Sequence, residues 1–205
     1  MRHLVIDSAS EACSVALVEA GMVVDHRHEV IGRGHAERLV LLIAELADGG
    51  RADIIAAGCG PGSFAGVRIG VAAARALALG WQVPVCGFST LTLVAASAAD
   101  AIAAAGGGLV VMEGGHGQWF VQPFAADLSP RAAFRSLLPD EAVLLADELV
   151  VGNRAQPFVA RRGSGRALAI LPDARAFLRL PPGALIDQPS PIYGRAPDAK
   201  PMAPA

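Results

Sequence analysis

The stretch Cys59-Gly60-Pro61-Gly62-Ser63-Phe64-Ala65-Gly66-Val67-Arg68-Ile69-Gly70 decides how this chain folds, because in it a glycine loop runs straight into a helix. Upstream, Asp53-Ile54-Ile55-Ala56-Ala57-Gly58 is a short apolar run bounded by turn residues and reads as a buried strand. The unit is therefore strand, Gly-Pro-Gly loop, helix. Such a turn exposes helix N-terminal amides, which suit an anion or a tightly packed neighbour. The lysine of a phosphate-binding P-loop is absent and Gly-Pro-Gly is common punctuation, so these residues alone favour a structural turn over a phosphate site. Ser63 lacks the Gly-x-Ser-x-Gly spacing of a nucleophile and has no evident histidine base, and it reads as the helix N-cap.

Working outward, residues 3–7, 13–19 and 22–29 read as three short strands, with Ala20-Gly21 as a tight hairpin signal. A helix starts after Gly32-Arg33-Gly34. On it Ala36, Leu39, Val40, Leu42, Ile43, Leu46 and Ala47 fill an arc of roughly 160°, wider than the ~100° that one core contact needs, and Leu41 falls on the polar side. The excess fits either a second partner or a helix sunk between two layers of its own protein. The helix after the glycine loop, residues 67–79, carries Gly66, Gly70, Ala74 and Ala78 at four-residue spacing, a smooth face that another helix could approach closely. Arg68 and Arg75 lie seven residues apart, near each other on a different face, where they could address one acidic surface or simply meet solvent.

A strand at 84–88 and a helix at 90–105 complete a first lobe, and Gly106-Gly107-Gly108 is the natural hinge to a second. There, 109–112 and 119–123 read as strands around a glycine-rich turn holding His116. Residues 131–138, 140–149 and 174–180 are helix candidates, and the Pro-rich tail from Pro189 is extended. Three strands followed by alternating helices and strands, twice over, is an α/β pattern. The expected lobes are 1–105 and 106–205.

Composition narrows the function. With 205 residues and 53% apolar content the chain can bury a substantial core. A net charge of −2 and a single lysine, Lys200, argue against autonomous nucleic-acid binding, which needs clustered cations. Arg161-Arg162-Gly163-Ser164-Gly165-Arg166 is the one local basic cluster and reads as a solvated loop. Cys13, Cys59 and Cys86 sit far apart in apolar segments and read as buried reduced thiols. The first apolar run is too short for a signal peptide, and Asp100 with the triglycine interrupts the Ala-rich stretch before it could span a membrane. A cytoplasmic location without membrane attachment is expected.

Read together, these segments resemble the TsaB (YeaZ) family, the non-catalytic partner in bacterial threonylcarbamoyladenosine formation in tRNA. The glycine loop carries the resemblance with Ile6-Asp7-Ser8-Ala9-Ser10-Glu11-Ala12-Cys13-Ser14-Val15-Ala16-Leu17, His35-Ala36-Glu37-Arg38-Leu39, Pro84-Val85-Cys86-Gly87-Phe88-Ser89-Thr90-Leu91 and Pro191-Ile192-Tyr193-Gly194-Arg195. It is nearly continuous from residue 2 to about 97 and thin from there to 188. The chain departs from the family at Ala65, where relatives usually have Thr, and at Gly194, where they have a bulkier residue. A third departure is Val111-Met112-Glu113-Gly114-Gly115-His116, where relatives tend to carry Asp-Ala-Arg and an acidic residue.

The resemblance implies a two-lobed actin/Hsp70-like (ribonuclease H-like) ATPase fold with a complete N-terminal and a reduced C-terminal lobe. It also implies no catalysis and no cofactor or metal of the chain's own. The helices near His35 and Val67 would hold a TsaD-type catalytic paralogue, with a TsaE-type ATPase in the larger complex, a homodimer when the paralogue is missing, and no direct stable tRNA binding. The implied interface residues are His35, Arg38, Leu39, Leu42, Leu46, Gly66, Arg68, Ile69, Gly70, Ala74 and Arg75. Gly70→Arg is expected to abolish the complex without unfolding the chain.

In nucleotide-binding members of that superfamily the first hairpin turn brings an Asp, a Gly and a hydroxyl to the phosphates and their metal. Here Asp7, Ser8 and Ser10 remain, but Ala9 stands where Gly would permit close approach, giving a relic phosphate loop. A carboxylate bonded to its own turn amides is the simpler role for Asp7. The alternative function is a weak ATP-dependent phosphotransferase or hydrolase built on these three residues, or a glycoprotease-like metallopeptidase. Against the peptidase, there is no His-Glu-x-x-His, and His26 and His28, two apart on a strand, have no evident acidic third ligand.

Overall fold

A computed structural model describes residues 1–194, so Arg195 of the closing motif and Lys200 lie outside the described residues. In chain order the first lobe contains β1 (Arg2–Asp7), β2 (Ala12–Glu19), β3 (Met22–Val30), α1 (His35–Ala44), β4 (Ile54–Gly58), α2 (Phe64–Trp81), β5 (Val85–Phe88), α3 (Thr90–Ser97) and α4 (Ala99–Ala104). The second contains β6 (Gly107–Gly115), β7 (Gln118–Ala125), β8 (Arg135–Leu137), α5 (Pro139–Ala142), β9 (Leu149–Val151), α6 (Ala155–Arg162) and β10 (Arg166–Leu168). The last strand among the described residues is β11 (Leu185–Ile186).

The two sheets run in the orders β11-β5-β4-β1-β2-β3 and β10-β9-β6-β7-β8. In each, three antiparallel strands joined by hairpins are extended by two parallel strands reached through helices, so the second sheet repeats the first. Leu4 pairs with Leu17 and Ile55 in the first, and Leu109 pairs with Pro123 and Val150 in the second. This doubled order is the actin/Hsp70-like architecture that the resemblance implied. The second lobe is the reduced one, with β8, β9 and β10 only three residues each.

Alternation along β1 sets the layers. Leu4 and Ile6 face an outer core with Leu39, Leu42 and Ile43 of α1 and Ala74 and Ala78 of α2, while Val5 faces a central core. That central core joins Phe88, Leu91, Val94 and Ile102 to Val110, Met112, Phe120 and Val151, so α3 and α4 are clamped between the sheets. On the far side of the second sheet, Leu109, Val111 and Trp119 bury Phe158 of α6 and Ala142 of α5. The order of layers is helices, sheet, helices, sheet, helices.

Several expected elements differ. The helix placed at 131–138 contains the edge strand β8 instead, held by pairing with β7, and that at 140–149 shortens to α5 before the chain enters β9. Leu149, Val150 and Val151 are buried as a parallel strand must be, a run too short to show a period. The helix expected at 174–180 is a 3-10 helix over Ala174–Arg179, and the long third helix breaks at Ala98 into α3 and α4. Of the expected loop at 161–166 only residues 163–165 are a turn, between the end of α6 and the start of β10, and Arg162 donates to the Leu145 and Asp147 carbonyls. α1 stops at Ala44, before Leu46 and Ala47.

The chain's end also departs from the expected lobes. β11 pairs with β5, and the Ile192 amide donates to the Cys59 carbonyl, so residues 185–192 belong to the first lobe.

Candidate functional site

The glycine loop and the first hairpin turn are built into each other. The Ser63 amide donates to the Ala9 carbonyl (2.7 Å) and Ser63 Oγ accepts from the Gly66 amide (3.3 Å), which makes Ser63 the N-cap of α2. A Cβ on Gly62 would overlap the Ala9 carbonyl, and one on Gly66 the Ser8 carbonyl. Gly70 is also confined, less tightly, since its Cβ would lie 2.6 Å from the side-chain oxygen of Ser8. Gly66 and Gly70 therefore let α2 lie against the first hairpin turn, while Ala74 and Ala78, further along the same stripe, pack in the outer core with α1.

The three polar residues of that turn are committed to the chain itself. Asp7 is 1% exposed. Its Oδ1 accepts from the Ala9 amide (3.1 Å) and its Oδ2 from the Thr90 hydroxyl (2.8 Å), while Thr90 Oγ1 accepts from the Gly60 amide (3.2 Å). Burial pushes the Asp7 carboxyl up to about 6, against the two hydrogen bonds that favour its charge. Ser8 donates to the Gly66 carbonyl (2.9 Å) and Ser10 Oγ accepts from the Ala12 amide (3.1 Å). This group pins the hairpin turn, the glycine loop and the start of α3 together. Among the described residues no three His, Cys, Asp or Glu side chains are grouped as metal ligands. Burial also raises all three thiols, Cys13 to about 12, which keeps them protonated and unreactive.

The residues assigned to a partner interface divide by burial. Leu39, Leu42, Leu46, Gly66, Gly70 and Ala74 are buried in the chain's own core and can shape a surface only from beneath. Gly70→Arg would therefore drive a side chain into Ser8, contrary to the expectation that it spares the fold. His35 is buried too, its Nε2 3.3 Å from the Ala12 carbonyl. Arg38 is half-buried between Glu29 (2.6 Å) and Glu45 (2.7 Å), and Ile69 is half-buried. What α1 and α2 expose is different. Val40 is 57%, Leu41 55% and Leu79 82% exposed, with Ala36, Ala44, Ala72 and Ala76 also outside, on two helices that touch each other.

Arg68 and Arg75 are exposed, and both brace the returning end of the chain. Arg75 donates to the Pro189 carbonyl (2.6 Å) and Arg68 Nε to the Tyr193 hydroxyl (3.0 Å). The Arg68 guanidinium also lies 3.6 Å over the Phe64 ring, whose centroid is 5.5 Å from that of Tyr193. Phe64 and Tyr193 were missed as site residues from the sequence, although Tyr193, the chain's one tyrosine, stood in the closing motif.

Behind this stack a cleft of about 760 Å³ opens between the glycine loop and the second lobe. The departing residues line it. Glu113 pairs with Arg154 at the start of α6, and Asn153 bridges the lobes by accepting from the Glu113 amide (2.9 Å) and donating to the Glu11 carboxylate (2.8 Å). At Gly194 a Cβ would overlap the Phe120 ring, so Phe120 occupies the space that a bulkier residue 194 would need.

Comparison with known proteins agrees with this geometry. Residues 27–128 match the family model described as TsaD: tRNA N6-adenosine threonylcarbamoyltransferase. The tRNA threonylcarbamoyladenosine biosynthesis protein TsaB of Escherichia coli (strain K12) is 43% identical over 103 residues, 48% of this chain and 44% of that protein. Its namesake in Haemophilus influenzae is 43% identical over 100 residues, 46% and 42% of the two chains. The matched stretch thus spans less than half the length of these curated relatives. Among solved structures, an uncharacterized Pseudomonas aeruginosa protein with similarity to peptidase YEAZ superposes with a TM-score of 0.78 at 28% identity, over 95% of this chain and 99% of that one. Glycine loop, doubled sheet order and these similarities agree: this chain is similar in sequence and in fold to the TsaB/YeaZ proteins.

Proposed function

We infer that this chain is a non-catalytic scaffold subunit in tRNA threonylcarbamoyladenosine biosynthesis, which holds a TsaD-type threonylcarbamoyltransferase through α1 and α2. The observation that carries the reading is the unburied apolar surface of these helices. α2 has a mean hydropathy of 1.3 while only 33% of it is buried, and Leu79, Val40 and Leu41 stand in solvent. Large apolar side chains left exposed on two touching helices fit an interaction site. A related subunit with the same pair of helices is a natural occupant, and the match of residues 27–128 to the TsaD family model supports one. Self-association through the same face would protect it when the paralogue is absent, and a TsaE-type ATPase would join the assembled pair. The chain would act in the cytoplasm, on tRNA bound by its partner.

The internal commitments of Asp7, Ser8 and Ser10 support a role without chemistry of its own. Reconstituted threonylcarbamoylation tests the reading. The TsaD-type protein of the same genome, its ATPase and tRNA should form the modified base only when this chain is added, and the chain alone should turn over neither ATP nor tRNA. Full modification without it, or ATP hydrolysis by the chain alone, would overturn the assignment.

A further inference from the structure

The cleft between the glycine loop and the second lobe has the size of a small-molecule site, about 760 Å³ against the roughly 300–1,000 Å³ usual for such sites. Its walls are largely apolar, from Phe64, Val67, Met112, Phe120 and Ile192. At its edge stands Arg68, stacked on Phe64 at 3.6 Å and fixed through Nε to the Tyr193 hydroxyl at 3.0 Å. The two terminal amino groups of this guanidinium pair with no carboxylate among the described residues. A guanidinium held in this way has already lost its rotamer freedom, so an anion that meets it forgoes little further entropy.

The opposite wall limits how much negative charge can enter. Glu11 and Glu113 both line the cleft. Arg154 neutralises Glu113, but Glu11 has only the neutral Asn153 amide against it. A polyphosphate would face that carboxylate with no lysine among the described residues to offset it, and Asp7, the residue that would hold its metal, is sealed beneath the turn. One negative charge at Arg68, followed by an apolar body, meets neither obstacle.

We propose that this cleft binds a small organic monoanion, a carboxylate or its equivalent on Arg68 with a ring or hydrocarbon body among Phe64, Val67, Met112, Phe120 and Ile192. The site is separate from the exposed Val40, Leu41 and Leu79 surface, so its occupancy can be read without any protein partner.

The test is a fluorescence titration of the full chain with anilinonaphthalene sulfonate, an aromatic monoanion, and with phenylnaphthylamine, its uncharged analogue. The sulfonate should bind saturably at one site and be displaced by naphthoate but not by ATP with magnesium. Arg68→Gln should weaken sulfonate binding at least about tenfold, the scale of one charge-assisted hydrogen bond, and leave phenylnaphthylamine unchanged. Arg68 is exposed, so the fold should survive. Should Arg68→Gln nonetheless unfold, Tyr193→Phe, which removes only the hydroxyl that fixes the guanidinium, should weaken the sulfonate alone. The proposal is overturned if the wild-type chain shows no saturable binding, if the sulfonate is indifferent to Arg68, or if ATP with magnesium displaces it and naphthoate does not.

Discussion

Replacing Asp7 by Asn removes one charge from the interior of the first lobe and leaves the shape of the side chain intact. The folded chain raises this carboxyl from 3.8 to about 6, with burial as the largest cause. Between those values the folded state holds a proton that the unfolded state has released, so wild-type stability falls as pH rises from about 4 to about 6 and stays lower above that. A displacement of about two pH units corresponds to about 3 kcal/mol. The side-chain amide of the Asp7→Asn variant does not ionise, keeps an acceptor for the Ala9 amide and presents an amino group to Thr90 Oγ1.

The variant's stability relative to wild type should therefore rise by about 3 kcal/mol between pH 4 and pH 7, whatever its offset at pH 4. In a chain of this size that is a relative melting-temperature change on the order of 6–12 °C. Urea unfolding followed by circular dichroism at half-unit pH steps measures the gap, and the difference between the two proteins cancels the other titrating groups. Parallel curves across that range would refute the argument. A gap that closes with rising pH would show instead that the bonds from Ala9 and Thr90 stabilise the carboxylate by more than its burial costs.

Three further outcomes follow from the same geometry. Gly66→Ala forces a methyl into the Ser8 carbonyl and should cost at least about 3 kcal/mol in urea melts, whereas Ala72→Gly on the exposed side of α2 should cost only about 1 kcal/mol. Gly194→Val should destabilise by about 2 kcal/mol or more through overlap with Phe120, and Phe120→Ala should recover part of that loss in the double variant, a positive coupling measured by a mutant cycle. Leu41→Asp and Leu79→Asp, at exposed positions, should each change stability by less than about 0.5 kcal/mol while weakening partner binding. Unfolding of either variant would show that the exposed face has a structural role.

The first lobe was legible because its signals are local. The short apolar runs between turn residues in 3–19, the Ala20-Gly21 turn and the glycine loop each specify their element without outside help. The strands of the second lobe were not legible where three residues carry no period. Arg135–Leu137 is a strand because β7 lies beside it, although its flanks, rich in Ala, Arg and Leu, favour helix. At the site, the wide apolar arc of α1 correctly signalled surplus hydrophobic surface, but a helical wheel has no absolute phase. It could not tell that Leu39 and Leu42 point inward while Val40 and Leu41 point out. The stripe through Gly66 and Gly70 was misread for the same reason, since close approach to one's own turn and to a foreign helix require the same small residues. Arg68 and Tyr193 meet across 125 positions of sequence, a contact that no local pattern encodes.

The central claim, that α1 and α2 present a surface for a related subunit, is tested most directly by light scattering coupled to gel filtration. The purified chain is run alone, then with the TsaD-type protein of the same genome, then again with Leu41→Asp and Leu79→Asp combined. The account predicts a self-associated species that converts to a one-to-one heterodimer, and a folded double variant that forms neither. A wild-type chain that elutes independently of the TsaD-type protein, or a double variant that still joins it, would contradict the account.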